Sequence, residues 1–247
     1  MPSSRLDAEL VSRGLVDSRA KAQRLIRGGA VTVNGAVTVK PAAKVLTIDD
    51  LHVDAGDDYV SRGAYKLVGA FDAFTPLGLP SPSGVDCLDV GASTGGFTDV
   101  LLRRGAARVI ALDVGHGQLD PRIAYDDRVI EMSGVNIRDV ESADLPFPPH
   151  MVVSDVSFIS LTYVIPVLAG LVGTGTDAVL LVKPQFEVGR GHLGRNGIVE
   201  DDALRRKALH DVEECARKSG FDVRASAPSP ITGTHGNVEY LLWITRR

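Results

Sequence analysis

Four residues far apart in the chain, Lys66, Asp155, Lys183 and Glu239, each fall at the end of an apolar run or on a helix beside one. Two amines and two carboxylates meeting at one spot can remove a proton from a hydroxyl. That set is unlike a metal site or a nucleophile that waits to form a covalent intermediate. A lysine works as a base only while part of its population is neutral. A second cation and partial burial favour the neutral amine, and neighbouring carboxylates oppose it while holding the amine in place. On this reasoning Lys183 is the base, Asp155 its anchor, and Lys66 and Glu239 position the group. Taken singly, each reads equally well as a strand-end charge; only their joint placement points to a site.

The elements that must position them begin at residue 85. The runs VDCLDV, ARVIALD, RVIEM, HMVVSDV, AVLLVKP, FDVRASA and VEYLLWI are separated by amphipathic segments. Continuous apolar strands alternating with helices predict a mostly parallel, helix-covered sheet, an α/β Rossmann-like fold. Ligands of such sheets lie outside the carboxyl ends of the strands. Asp155 closes the fourth strand, Lys183 closes the fifth and Glu239 begins the last. Lys66 lies on a helix starting near Ser61, just before the sheet.

The first strand runs into DVGASTGGF, residues 89–97. This loop has neither the G-x-G-x-x-G of dinucleotide enzymes nor a G-K-[ST], so a pyrophosphate is not its expected ligand. Gly91, Gly95 and Gly96 allow a sharp turn and close approach to a ligand, with Ser93, Thr94 and Phe97 completing the loop. Asp89 can engage an amino group directly or through water, and Asp113, ending the second strand, can accept from two ribose hydroxyls. Asn136 follows the third strand near the expected adenine edge, although asparagine in a loop is more often a turn former. A loop that avoids phosphate, with a ribose-binding acid, fits an S-adenosyl-methionine pocket, Asp155 standing at its mouth. Methyl transfer needs no oxyanion stabiliser. A ribose 2′-hydroxyl is a poor nucleophile until its proton leaves, which gives Lys183 its task.

Residues 1–48 hold eight Lys/Arg against three Asp/Glu, whereas the rest of the chain holds nineteen against twenty-eight. A basic head on an acidic body suggests that the head binds an anion. The pattern RLDAELVSR predicts a helix ending at Gly14. Ser18 is an N-cap for a second helix to Arg27, stopped by Gly28 and Gly29. VTVNGAVTV then predicts a hairpin turning at Asn34-Gly35. Basic residues on the second helix (Arg19, Lys21, Arg24, Arg27), with Arg5 and Lys40, could lie along a phosphate backbone. This head resembles the S4 RNA-binding domain, and structured RNA is read largely by shape and phosphate placement. The acidic stretch from Asp49 to Asp58 reads as a last strand plus a linker, which sets the domain boundaries at 1–58 and 59–247.

The glycine-rich segment 184–201 suggests a lid over an RNA nucleotide, with Arg190 and Arg195 near phosphate; Arg62 is a further expected RNA contact. Two cysteines suggest neither a disulfide framework nor a zinc site, and no metal is expected. The first residues carry charges where a signal peptide needs an apolar core, so a cytoplasmic protein is expected. The longest apolar stretch, near 161–172, is too short to span a bilayer.

Together SRGAYKL, DVGASTGGF, VSDVSFISL, LVKPQFEVG and NVEYLLW resemble the TlyA (hemolysin A) family of ribosomal RNA 2′-O-methyltransferases. The match covers nearly the whole chain, 5–48 for the S4 part and 59–245 for an FtsJ-like catalytic part. The resemblance implies a Lys-Asp-Lys-Glu tetrad at Lys66, Asp155, Lys183 and Glu239, S-adenosyl-methionine as donor, and methylation of cytidine ribose in ribosomal RNA. Two departures stand out: DVSF replaces the D-x-A-P-N of many wider relatives, and the chain stops four residues after Trp243. The second resembles a shorter subgroup acting on large-subunit RNA. The alternatives are an RNA-binding protein without activity, a membrane-active hemolysin, or a base methyltransferase. Against the last, Asp155 is followed by Val-Ser-Phe, where N-targeting enzymes carry an N/D-P-P-Y motif.

Overall fold

The computed structural model describes residues 3–16, 18–27, 29–53, 59–194, 197–233 and 236–247, and the side chains of Arg24 and Arg190 lie outside the description. The chain divides into two units, Met1–Asp58 and Tyr59–Arg247.

In the first unit, β1 (Ser3–Arg5) leads into α1 (Leu6–Ser12), followed by α2 (Arg19–Arg27), β2 (Val31–Val33), β3 (Ala36–Val37), β4 (Lys44–Leu46) and β5 (Leu51–Val53). The helical spacing of Leu6 and Leu10, with Ala22 and Ile26 on α2, puts one apolar stripe of each helix into a core shared with Val31, Val45 and Leu51. Ser18 Oγ accepts from the Lys21 N–H at 3.3 Å, the N-cap contact its position predicts. Asn34 and Gly35 both take positive φ, 51° and 80°, which closes the β2–β3 hairpin. Asn34 also ties the hairpin to the acidic stretch: its Nδ2 donates to Asp49 Oδ1, and the Asp50 N–H donates back to Asn34 Oδ1.

The second unit begins with α3 (Ala64–Phe74), a turn later than Ser61, and continues through β6 (Asp86–Val90), α4 (Gly96–Arg103), β7 (Arg108–Asp113), α5 (Pro121–Ala124) and β8 (Val129–Ser133). There follow β9 (Met151–Ser154), α6 (Leu161–Leu171), β10 (Asp177–Val182), α7 (Pro184–Glu187), α8 (Asp202–Lys218), β11 (Phe221–Pro228) and β12 (Tyr240–Arg246). The sheet order is β11-β12-β10-β9-β6-β7-β8. β12 runs antiparallel to both neighbours, whereas β6 to β10 pair in parallel. Strand order reverses between β6 and β9, and the crevice above this switch point is where such sheets take ligands.

Strand parity decides which residues reach that crevice from one side. Val152, Leu180 and Leu242 face a core with α6 and α8. Met151 and Val153, Val179 and Leu181, and Leu241 and Trp243 face the opposite core, formed with α3 and α4. Side chains two apart share a face. Continuing each series by one step therefore sends Asp155, Lys183 and Glu239 to the α3 face of the sheet. Glu239 precedes its strand whereas the other two follow theirs, yet all three emerge at the same edge because β12 is reversed.

Candidate active site

Lys66 projects from α3 into this corner, and the four residues meet. Its Nζ lies 2.6 Å from Glu239 Oε2 and 3.8 Å from Asp155 Oδ2. Lys183 Nζ lies 2.6 Å from Asp155 Oδ1, so Asp155 bridges the two amines. Lys66 and Lys183 are each 8% exposed and Glu239 2%. Charges this covered persist only because they are paired, and removing one partner leaves the other uncompensated. Asp155 Oδ1 and Glu239 Oε2 meet their lysines as ion pairs off the line of a hydrogen bond. The aligned bond of Lys183 goes to a residue the sequence reading passed over: its Nζ donates to Ser157 Oγ at 2.7 Å. Gln185 was also missed; its Nε2 donates weakly to Glu239 Oε1 at 3.5 Å.

Two cavities open at this corner. One of about 920 Å³ lies over the switch point, with Asp113, Val114, Asn136 and Ile137 on its wall. The other, about 690 Å³, is lined by Lys66, Lys183, Arg62, Thr94 and Phe97 among others. They share Gly91, Ser93, Asp155 and Ser157, so a group seated in one faces a group seated in the other across Asp155.

The glycines of the 89–97 loop lie close against neighbouring segments, and Gly91 and Gly96 also line the cavities. A Cβ at Gly91 would lie 3.0 Å from the Asp155 carbonyl oxygen; one at Gly96 would lie 2.1 Å from Ser61 Oγ and 3.1 Å from the Ala64 nitrogen. Their missing side chains let the loop sit directly against the Asp155 segment and the start of α3. Gly95 has φ of 93° and packs on Ile123. Phe97 is buried, its ring in the α3–α4 core.

Asp89 departs from the expectation. It is fully buried and lines neither cavity. Parity explains this: Asp89 shares the face of Cys87, which points into the α3–α4 core. Its Oδ2 accepts from Thr98 Oγ1 at 2.7 Å and its Oδ1 has no hydrogen-bond partner among the described residues. Burial, with the nearby Asp155 and Asp113 charges adding to it, pushes this carboxyl up to about 7 against the pull of Thr98. Asp113 does line the larger cavity, but it also braces the loops: Oδ2 accepts from the Ser93 N–H at 2.8 Å and Oδ1 from the Gly115 N–H at 2.7 Å. Asn136 lines the same cavity while its side chain accepts from the Arg138 N–H at 3.1 Å, so it is a cap as well.

The expected lid over 184–201 is fixed at both ends. Pro184 is buried at the start of α7. Glu187 accepts from Ser160 Oγ and from the Leu161 N–H at 2.9 Å, sealing the start of α6; burial raises its carboxyl above the usual range. At the far end Val199 is buried, its N–H donating to Asn237 Oδ1 at 3.2 Å while Asn237 Nδ2 donates to the Gly197 carbonyl at 3.1 Å. Arg195 and the Arg190 side chain lie outside the described residues.

Among the expected RNA contacts, Arg62 is exposed, its Nη2 donating to the Thr232 carbonyl. In the first unit Arg5 is engaged too. Its Nε and Nη2 donate to Asp7 at 3.0 and 2.9 Å; Arg19 approaches the same carboxylate at 3.3 Å, and Gln23 donates to it at 2.8 Å. Asp7 is covered completely, and the Arg5 hydrogen bonds hold it well below the usual carboxylate range. The guanidinium groups of Arg5 and Arg19 stay about half exposed, fixed by one carboxylate. Arg27 and Lys40 are exposed and Lys21 is half-buried; the Arg24 side chain lies outside the description.

Comparison with known proteins agrees with this architecture. Residues 59–246 match the FtsJ-like methyltransferase model and residues 4–51 the S4 domain model. A relative from Mycobacterium tuberculosis named 16S/23S rRNA (cytidine-2′-O)-methyltransferase TlyA is 46% identical over 98% of this chain and 89% of its own. A solved structure from Streptococcus thermophilus carrying the name hemolysin is 40% identical, with a TM-score of 0.76 over 100% of this chain and 89% of its own. An S-adenosylmethionine dependent methyltransferase from Mesorhizobium loti shares the fold at a TM-score of 0.53 and 16% identity, over 71% of this chain and 97% of its own. No helix among the described residues is long and apolar enough to cross a membrane.

Proposed function

Since the chain belongs to the FtsJ-like methyltransferase family, and within it to the TlyA group, we propose that it methylates the 2′-hydroxyl of a cytidine in ribosomal RNA. The observation that carries this reading is the meeting of Lys66, Asp155, Lys183 and Glu239 on one sheet face, beside a second cavity at the switch point. S-adenosyl-methionine, when bound, supplies an electrophilic methyl group. The wall of the larger cavity suits it: the Asp113 carboxylate for ribose hydroxyls, and Val114, Val135 and Ile137 beside Asn136 for an adenine.

The rest is done by the chain. Lys183 takes the proton of the 2′-hydroxyl, with Asp155 at 2.6 Å as counter-charge to the ammonium that forms. Lys66, held by Glu239, stands 3.8 Å from the second oxygen of Asp155 and sets a second positive charge beside it. The near burial of both amines keeps water from competing for the same contacts. The basic first unit supplies RNA affinity through phosphate contacts, Arg5 and Arg19 presented by Asp7. The substrate is RNA of the large subunit or of both subunits, as the 16S/23S name of the Mycobacterium tuberculosis relative has it, and the enzyme works in the cytoplasm. Incubation with methyl-labelled S-adenosyl-methionine and purified small subunits, large subunits or free RNA, followed by mapping of the label, tests this. Label confined to the small subunit would overturn the choice of subunit, and label on protein or on bases would overturn the reaction.

A further inference from the structure

We propose that Ser157 is a positioning residue for Lys183, turning the free electron pair of the amine toward the acceptor hydroxyl; this rests on the reading of Lys183 as the base. A neutral lysine nitrogen is tetrahedral, with two N–H groups and one free pair. Two acceptors surround Lys183 Nζ: Asp155 Oδ1 at 2.6 Å and Ser157 Oγ at 2.7 Å. The Asp155 contact is off the line of a hydrogen bond and the Ser157 contact is aligned, so Ser157 sets the rotation of the amine. With one N–H donated to Ser157 and the Asp155 carboxylate against a second side of the nitrogen, the free pair is left to face the cavity that Lys183 lines. Without Ser157 the nitrogen can turn an N–H toward the acceptor, which removes no proton.

Ser157 is itself held. The segments 157–160 and 183–187 are joined rung by rung: Lys183 to Ser157, the Phe186 ring to the Phe158 ring at 5.2 Å, and Glu187 to Ser160 and the Leu161 N–H. Phe158, which makes the second rung, has φ of 65°, a left-handed conformation that residues with a Cβ rarely adopt. A turn held there at a cost to the backbone fixes the hydroxyl of Ser157 beside the lysine.

In the reaction the 2′-oxygen loses its proton and keeps the bonding pair, and Lys183 Nζ gains an N–H bond and a positive charge. The hydrogen bond to Ser157 persists and becomes charge-assisted, so it strengthens as the proton moves. An interaction that tightens only along the reaction shows in kcat rather than KM.

The test compares full-length Ser157→Ala, Ser157→Thr and Lys183→Ala with the wild type on large ribosomal subunits, measuring kcat, KM for both substrates, and S-adenosyl-methionine affinity by calorimetry. Ser157 is exposed, so both of its variants keep the fold. Ser157→Ala should lower kcat on the order of ten-fold, with both KM values within about two-fold. Ser157→Thr, which keeps the hydroxyl, should recover most of the loss. Wild-type kcat in Ser157→Ala beside an inactive Lys183→Ala would overturn the role of Ser157 and leave the base assignment standing. A raised KM for S-adenosyl-methionine with unchanged kcat would make Ser157 a cofactor contact instead. An active Lys183→Ala would remove the base assignment and this proposal with it.

Discussion

Replacing Asp89 by asparagine should stabilise the catalytic unit at pH 8 relative to pH 5 and flatten its dependence on pH. Asp89 is fully buried, with one oxygen on Thr98 and the other without a hydrogen-bond partner among the described residues. Its carboxyl is pushed from 3.8 up to about 7. The native state therefore holds this proton across a pH range in which the unfolded chain has released it. Its contribution to stability is fully present below about pH 4 and is lost as the pH rises through about 7. At about 1.4 kcal/mol per unit, the loss between pH 5 and pH 8 is on the order of 2.5 kcal/mol. Asparagine keeps the shape and an acceptor for Thr98 but cannot ionise. The carboxylates held below their usual range by arginines, Asp7, Asp86 and Asp126, act with the opposite sign and at lower pH. Glu187, raised by burial, is common to both proteins and cancels in the difference. Urea unfolding at pH 5, 6, 7 and 8 can be followed by Trp243, the only tryptophan, which is buried against Phe74. The gap between variant and wild type should move by that amount in favour of the variant. Two curves that stay parallel across the range would refute the reasoning.

Four further outcomes can be checked by unfolding and binding. Gly96→Ala puts a Cβ against Ser61 Oγ and the Ala64 backbone and should cost about 1–3 kcal/mol in urea unfolding. Gly170→Ala, on α6 with open space around it, should stabilise by about 0.5–1 kcal/mol. Glu239→Gln leaves Lys66 with Asp155 at 3.8 Å as its counter-charge and should lose about 3 kcal/mol of stability, together with most of kcat. Asp7→Asn releases Arg5 and Arg19 from a shared carboxylate; RNA affinity in filter binding should fall several-fold while the salt dependence stays close to the wild-type slope, because the positive charges remain.

Much of this molecule could be read from its sequence because the signals are local. The Asn34-Gly35 turn, the Ser18 cap and the apolar strands after residue 85 each need only a few neighbouring residues to be recognised. Convergence of Lys66, Asp155, Lys183 and Glu239 was also legible, since strand parity and one reversed strand are enough to bring them to one edge. Parity would equally have placed Asp89 in the core beside Cys87, but its position before a glycine loop drew attention to a ligand instead. What no local pattern carries is pairing between distant segments. Ser157 reaching Lys183, Glu187 closing α6, Asn237 holding the backbone at Gly197 and Val199, and Asp7 gathering Arg5 and Arg19 all depend on tertiary packing. The close approach that glycines at 91 and 96 permit is to the Asp155 segment and the start of α3, a tertiary neighbour that no local pattern names.

The central claim is that Lys183 removes the 2′-proton of a cytidine in ribosomal RNA, and transfer of labelled methyl groups tests it most directly. Wild-type protein and Lys183→Ala are each incubated with large ribosomal subunits and labelled S-adenosyl-methionine, and the RNA is then hydrolysed in alkali. Wild-type protein should put label in alkali-resistant dinucleotides with cytidine at the 5′ position. Lys183→Ala should put none there, while its affinity for S-adenosyl-methionine stays near that of the wild type. Label in alkali-labile mononucleotides, or equal transfer by the two proteins, would contradict it.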